Sequence, residues 1–438
     1  MSARTRELMA LVPVSLLIAA GFAAILITRQ GDAEGTQINE LTVTYGGVFL
    51  GACVFAHLFI RARLPDADPY LFPLVALLAA FGLVEIYRIS PSRAGQQAIW
   101  FGVGLVLFCL TIVFLRDHRV LERYRYIIAF SGILLLLLPR LGQPTNGAYL
   151  SFNMGPIAFQ PAELAKIAIV IFLASYLRDT RQVLVIGARR FAGITFPPLK
   201  HLGPLLAVWG TAMALLFVIQ DLGSSLMFFG GFLALVYVAT NRISFVLIGL
   251  GLFALGARVL YAIRPTIQGR VEAWLHPFDP DLYGKTVGGS FQVAQSIFSQ
   301  ADGGLFGQGF GQAIIRLGDN PPILPAAHTD FIYAVITDEL GLLGAAAVLL
   351  VYLLFIERGF KTAMLATDSF SKLLATGLTA VLALQVFVIV GGVTKLIPLT
   401  GVTLPFISYG GSSIVANFIL LALLLLVSDR ARREAEAP

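Results

Sequence analysis

Residues Leu324 to Ile356 read LPAAHTDFIYAVITDELGLLGAAAVLLVYLLFI. From Phe331 onward the stretch is apolar except at Thr337 and the acidic pair Asp338 and Glu339, and it is long enough to cross a hydrocarbon layer of roughly 30 Å. It also opens on three polar residues, His328, Thr329 and Asp330. An ionisable group at the mouth of a membrane helix is costly to keep, so it has either a structural partner or a task.

The rest of the chain repeats this alternation of long apolar runs and short polar breaks. Of 438 residues 57% are hydrophobic and 13% charged, against roughly 45–50% and 25% in soluble domains. Apolar stretches at 9–27, 41–60, 70–87, 98–115, 126–139, 161–177, 203–220, 224–240, 243–262, 331–356, 373–393 and 412–427 predict an all-α polytopic membrane protein with about 12 transmembrane helices. The first follows Arg4 and Arg6 as a signal peptide would, but no small-residue cleavage site precedes Gly31 and Asp32, so it reads as a retained helix. With the N-terminus inside, the inner loops carry 20 Lys and Arg and the outer ones 9, which puts both termini in the cytoplasm. The net charge of +6 follows from this bias and fits anionic membrane lipids, with no nucleic acid partner. Cys53 and Cys109 fall inside apolar runs as small apolar residues and imply neither a disulfide nor a metal framework.

Three outer loops, 140–160, 263–330 and 394–411, concentrate the Gly, Pro and polar residues. In the longest, TVGGSFQVAQSIFSQ (286–300) sets Val287, Phe291, Ala294 and Phe298 at helical spacing, with Gln292, Gln295, Ser299 and Gln300 elsewhere. That pattern predicts an amphipathic helix on the bilayer surface, stopped by Gly303 and Gly304. The following GGLFGQGFG (303–311) lacks the Gly-Lys-Ser/Thr ending and the preceding strand of a phosphate loop, and reads as a tight turn that brings backbone close to another segment. No fixed-period repeat or two-halves symmetry supports a transporter.

Several polar residues at outer helix mouths are candidates for chemistry. Asp330 is either a helix cap or a functional carboxylate. At 100° per residue Thr337 lies within about 20° of it and Asp338 within about 80°, with Glu339 opposite, so a polar face running inward from Asp330 must meet a wet cavity or polar partners. In FQPAELAKI (159–167), Glu163 and Lys166 share a helix face as a neutralised pair or as a lysine offered to an anionic ligand. Arg264 and Arg270 sit at the height of a lipid phosphate, by snorkelling or by design. Asp221 in IQDLGSS stands at a tight hairpin where capping is the simplest role. LIPLTGVTLPFISYGGSS (396–413) breaks an apolar run with two prolines and three glycines, which requires packing in protein or a cavity. Together these describe a polar, outward-facing cavity suited to a lipid with an anionic headgroup.

HTDFIYAVITDELGLLG, FQPAELAK, QDLGSS, QSIFSQADGGLFGQG and GVTLPFISYGGSS, in their order along the chain, resemble the SEDS proteins, the FtsW/RodA/SpoVE group that builds bacterial cell walls. The likeness runs from about Tyr70 to Val427, and GGVTKLIPLTGVTLPFISYGG looks most like a RodA of the actinomycete type. The resemblance implies a SEDS-type helical bundle of ten helices over 70–438 with its large extracytoplasmic loop at 263–330, preceded by a two-helix extension at 1–69. It implies a peptidoglycan glycosyltransferase of the bacterial plasma membrane, with its active site facing outward, that polymerises lipid II for elongation or division and releases undecaprenyl pyrophosphate. Its partners would be lipid II, the growing glycan strand and a class B penicillin-binding protein as transpeptidase.

By the same resemblance Asp330 is the catalytic base, with a pKa raised by the membrane edge and by Asp338. Glu163, Lys166, Arg270, His328, Thr329, Gln292 and Ser412 are substrate-binding, Lys166 and Arg270 being assigned to the pyrophosphates. A divalent cation, Mg or Mn, comes with the family although no metal cluster stands in the sequence. Where relatives often place glutamates near the Leu-Pro of the Asp330 motif, this chain has Pro322 and Ala326, and NGAYLSFNMGP (146–156) lacks an expected basic residue and tryptophan. Two other classes stay open: a lipid II flippase, which needs charges through the full membrane depth, and a non-catalytic scaffold, which would tolerate loss of Asp330.

Overall fold

The computed structural model describes residues 3–28, 35–142, 152–154, 157–186, 189–191, 194–196, 203, 206–214, 221–285, 289–315 and 322–436. The chain opens with α1 (Ala3–Ala10), α2 (Val12–Thr28) and α3 (Gly35–Arg63), followed by α4 (Leu71–Ile89), α5 (Pro91–Phe114), the single turn α6 (Val120–Arg123) and α7 (Arg125–Leu137). A short hairpin, β1 (Phe152–Met154) with β2 (Ile157–Phe159), pairs Phe152 with Phe159 and leads into α8 (Ala162–Ile186). A second hairpin, β3 (Arg189–Phe191) with β4 (Ile194–Phe196), precedes α9 (Leu222–Thr240) and α10 (Ile243–Ile263). The long loop before α14 carries α11 (Pro265–Leu275), α12 (Pro280–Tyr283) and α13 (Phe291–Gly303), and the chain closes with α14 (Ile332–Leu365), α15 (Ser369–Val393) and α16 (Gly411–Glu436).

Among the described residues nine helices are long and apolar enough to cross a membrane. Of the other expected spans, 126–139 is met by the 13-residue α7 and a following 3-10 turn, and 161–177 by the 25-residue α8, which carries Glu163 and Lys166 inside its apolar run. The span at 203–220 lies partly outside the described residues. Helices approach closely where glycine leaves room: a Cβ at Gly377 of α15 would come within 2.7 Å of Val170 on α8, and one at Gly104 of α5 within 2.8 Å of Phe418 on α16. α16 is the buried axis of the bundle, whereas α10 stands at its edge with Phe245 as its one buried residue.

Both chain ends lie on one side of the bundle. Arg4 donates to the Pro65 carbonyl (3.2 Å), and the Asp66 amide donates to Asp429 near the end of α16 (2.9 Å). Arg358 and Arg432 both reach Asp68 on this side.

Two irregular segments shape the opposite side. α14 is broken at Gly341, whose φ of 68° is open to glycine. The carbonyls released there are taken up by the glycine-rich turn, with the Gln308 amide donating to Asp338 (2.9 Å) and that of Gly309 to Glu339 (3.0 Å). Residues 303–311 are therefore the close-approach turn expected from sequence: a Cβ at Gly307 would run into the Glu339 carbonyl. The second segment, 394–410, is non-helical and packed in protein, with Val402, Leu404, Phe406, Ile407 and Ser408 buried and a Cβ at Gly82 of α4 only 2.6 Å from Ile407.

One expectation is refined. α13 is amphipathic, and the face it turns into the protein, with Val293, Ala294 and Ser296, is offset from the one read by spacing. Ser296 and Gln300 donate to the Val393 carbonyl at the end of α15 (3.2 and 2.9 Å), while Phe298 is exposed and stacks on Phe278. Val287 lies outside the described residues. The exposed C-terminal carbonyls of α15 attract the polar residues of α13, and that outweighs apolar periodicity over so short a helix.

Candidate active site

The segment before α14 turns sharply at Ala326, where φ is +55°, and the Thr329 and Phe331 amides both donate to the Ala326 carbonyl (3.0 and 3.2 Å). Phe331 occupies the cap position of α14 with no side-chain cap, so Asp330 is not the cap of this helix. Its carboxylate faces the 400–402 strap instead: a Cβ at Gly401 would sit 3.7 Å from its Oδ2. Arg270 of α11 docks on the same strap, donating to the Thr400 carbonyl (3.3 Å), between Asp221 and Asp330 in charge.

Burial governs the titration of this group of residues. Surrounding protein displaces water from Asp330 and pushes its pKa up to about 6, against the pull of Arg270 and a hydrogen bond from Thr329. Burial lowers the pKa of Arg270, opposed by Asp221 and Asp330. Asp221 is raised by burial, opposed by its bonds to Ser224 and by Arg270. It caps α9 as expected, accepting from the Ser224 amide (2.9 Å) and hydroxyl (2.6 Å).

The expected influence of Asp338 on Asp330 is not found. Asp338 faces Asp302 and Arg88, because the chain leaves helical geometry before Ile332 and the angular count from Asp330 does not carry into α14. The inner polar residues of α14 have protein partners: Thr337 donates to Tyr333 (2.8 Å), and Glu339 pairs with Arg88 (2.5 Å) and accepts from the Gly311 amide (2.8 Å).

Glu163 and Lys166 form a buried ion pair (2.5 Å) in the first turns of α8. Lys166 also donates to Gln385 (2.7 Å) and Asn417 (3.4 Å), so its three ammonium hydrogens all have protein acceptors. Gln385 in turn donates to the Thr403 carbonyl (3.0 Å), tying the pair to the strap beside Asp330. Ser412 accepts from the Gln160 amide (2.8 Å).

His328 lies beside Tyr409, ring centres 5.8 Å apart, and burial together with the Arg93 charge lowers its pKa to about 4, leaving the imidazole neutral. Gln292 is exposed on α13, apart from this cluster of side chains. Most of the 140–160 loop, including 146–151, lies outside the described residues.

An apolar cavity of about 620 Å³ opens next to Arg270. Trp209, Leu226, Phe253, Leu260, Ile267 and Ile397 line it, together with the polar Arg264, Arg270 and Thr400, and the edge helix α10 forms one wall. No group of three or more His, Cys, Asp or Glu converges on a metal position among the described residues.

Sequence reading missed Gln385, Asn417, Glu85 and Arg88, and the link of the last two to Glu339. Gln385, Asn417 and Glu85 each stand as an isolated polar residue in an apolar run, which is the signal that could have singled them out.

A family model described as cell cycle protein, spanning FtsW, RodA and SpoVE, matches residues 69–433. The chain is 44% identical over 428 residues to the peptidoglycan glycosyltransferase RodA of Mycobacterium tuberculosis, covering 94% of this chain and 88% of that protein. It is 31% identical to the stage V sporulation protein E of Bacillus subtilis, over 83% of this chain and 98% of that one. Among solved structures, a chain of a peptidoglycan synthase complex that coordinates polymerization and crosslinking superposes with a TM-score of 0.66 at 29% identity, over 84% of this chain and 98% of that one. The rod shape determining protein RodA of Thermus thermophilus does so at 0.58 and 28%, over 85% and 98%.

Proposed function

The chain belongs to the FtsW/RodA/SpoVE family of cell cycle proteins, and from that membership we propose that it polymerises lipid II with Asp330 as general base and Arg270 as the cation facing the departing pyrophosphate. It is a multi-pass membrane protein and a peptidoglycan glycosyltransferase, the activity for which its relatives are named.

In the reaction the GlcNAc 4-hydroxyl of one lipid-linked disaccharide attacks the anomeric carbon of another. The new O–C bond forms as the bond to the pyrophosphate breaks, the proton passes to the Asp330 carboxylate, and undecaprenyl pyrophosphate leaves with the electron pair. A single displacement inverts the α-linked sugar to a β-1,4 linkage, the logic of inverting glycosidases.

The observation that supports this reading most is one juxtaposition. A half-buried carboxyl, raised by its protein surroundings to about 6, stands in the field of a half-buried guanidinium that lines an apolar groove of about 620 Å³. A base of that strength is ionised at neutral pH yet holds the proton it takes. Burial strengthens the attraction between Arg270 and developing phosphate charge. The groove offers the prenyl chain an apolar bed beside the open edge of α10.

Lys166 and Glu163 serve the site as positioning residues, through Gln385 and Thr403, because the lysine is already fully engaged. Ser412 acts likewise through Gln160. The neutral His328 and Thr329 would meet sugar hydroxyls, and the exposed Gln292 the outgoing strand. Among the described residues no three His, Cys, Asp or Glu side chains form a protein-only metal site; a divalent cation, Mg or Mn, would need pyrophosphate oxygens to complete its shell. A class B penicillin-binding protein would crosslink the product on the outer face of the plasma membrane.

The test is glycan-chain formation from lipid II by the purified chain with its penicillin-binding partner. Asp330→Asn should abolish polymer while partner binding persists; unchanged polymer would return the residue to a structural role. A wild type that makes no polymer but translocates lipid II would favour the flippase reading.

A further inference from the structure

Arg93 lies in the first turn of α5, on the outer hairpin that follows α4. Its guanidinium is exposed and stacks over the Tyr409 ring at 5.2 Å, and the Tyr409 hydroxyl donates to Gln96 (2.6 Å). Among the described residues Arg93 makes no ion pair, and the first turn of α5 carries no acidic side chain. Two hydrogen bonds join the stack to the candidate active site: the Tyr409 amide donates to the His328 carbonyl (2.9 Å), and the Ser408 hydroxyl donates to that of Thr329 (2.7 Å). Two cations therefore flank one short segment. Asp330 feels Arg270, whereas His328, two residues away, feels Arg93.

A polymerase brings together two lipid-linked sugars, each with its own pyrophosphate at headgroup depth. Arg270, beside the groove, serves only one of them. Below Gln96 an exposed apolar stripe of Ile99, Val103, Val106 and Leu110 runs down α5 at helical spacing, so a second prenyl chain has a surface to follow. We propose that Arg93, held by Tyr409, binds the pyrophosphate of the acceptor, the substrate whose sugar hydroxyl reaches Asp330, while Arg270 binds that of the donor. The planar guanidinium suits a phosphate by paired N–H donors, and its stack keeps it pre-aimed. The second pyrophosphate site and its assignment to the acceptor both rest on the polymerase reading; the binding titration reads the site without it.

Titration of the full chain in neutral detergent with geranylgeranyl pyrophosphate tests it. The wild type should bind two equivalents, and Arg93→Gln and Arg270→Gln one each. A single equivalent in the wild type, or two retained by Arg93→Gln, would overturn the proposal. Arg93→Lys keeps the charge without the fork and should weaken the second site about tenfold, which separates loss of ligand from loss of fold. Phosphatidylglycerol competing for the Arg93 site as well as the pyrophosphate does would make it a bulk-lipid contact and also overturn the assignment.

In polymerisation, Arg93→Gln should raise half-saturation by an acceptor-only analogue, its anomeric oxygen replaced by carbon so that the pyrophosphate cannot leave, about tenfold. Half-saturation by a donor blocked at its 4-hydroxyl should stay within about twofold. The reverse pattern refutes the acceptor role. Two equivalents bound by a wild type that makes no polymer would sink the polymerase reading and leave the second site standing.

Discussion

Removing the positive charge of Lys166 should destabilise the protein far more than removing the whole ion pair. The Lys166→Met variant leaves Glu163 as a buried anion and strips Gln385 and Asn417 of a donor. Glu163→Gln leaves the ammonium buried without its counter-charge. Breaking one side of such a pair costs about 3–5 kcal/mol, whereas replacing both sides is often close to neutral. With an unfolding entropy of about 2.1 cal/mol/K per residue and 438 residues, each kcal/mol moves the melting temperature by about 1 °C. Each single variant should therefore melt about 3–5 °C below wild type, and the double variant above either single one. Calorimetry in detergent, with polymerisation measured on the same samples, reads both effects. Equal, additive losses would refute the closed pair. Unchanged melting of Lys166→Met with lost polymer would show that the lysine instead meets substrate.

Three further outcomes follow from the geometry. Gly307→Ala should cost about 2 kcal/mol or more, since φ is +83° and a Cβ meets the Glu339 carbonyl, whereas Gly251→Ala on the open side of α10 should be neutral or slightly stabilising; paired melting curves check this. Arg88→Met should cost about 3–5 kcal/mol by leaving Glu339 buried without its cation, and the loss should shrink when Glu339→Gln is added, as a double-mutant cycle on melting would read. Arg270→Gln should move the acid limb of the rate upward in pH, because the arginine holds the Asp330 pKa down; a limb moved downward would place the charge elsewhere.

Much of this arrangement was legible along the chain, and the boundary is physical. Apolar run length locates α4, α9, α10, α14, α15 and α16 because the bilayer demands that length whatever the neighbours. Local spacing gives the Glu163–Lys166 pair and the Asp221 cap, whose partners are three residues away. Glycines at 303–311 announce a close approach, although not that it is to the broken carbonyls of α14. Long-range facts lay beyond reach. An unbroken helix would match Asp330 with Asp338, whereas its actual neighbour, Arg270, arrives from a helix 60 residues upstream in sequence. Likewise nothing in the spacing of Arg93 and Tyr409 tells that one stacks on the other.

The central claim, that Asp330 is the general base, is tested most directly by the pH dependence of kcat/KM for glycan-chain formation. A base must be ionised to act, so below its pKa the rate falls about tenfold per pH unit. With a carboxyl raised to about 6, the profile should be flat above that pH and bend downward near it. A rate that stays level down to about pH 4.5, with the fold intact, would contradict the account.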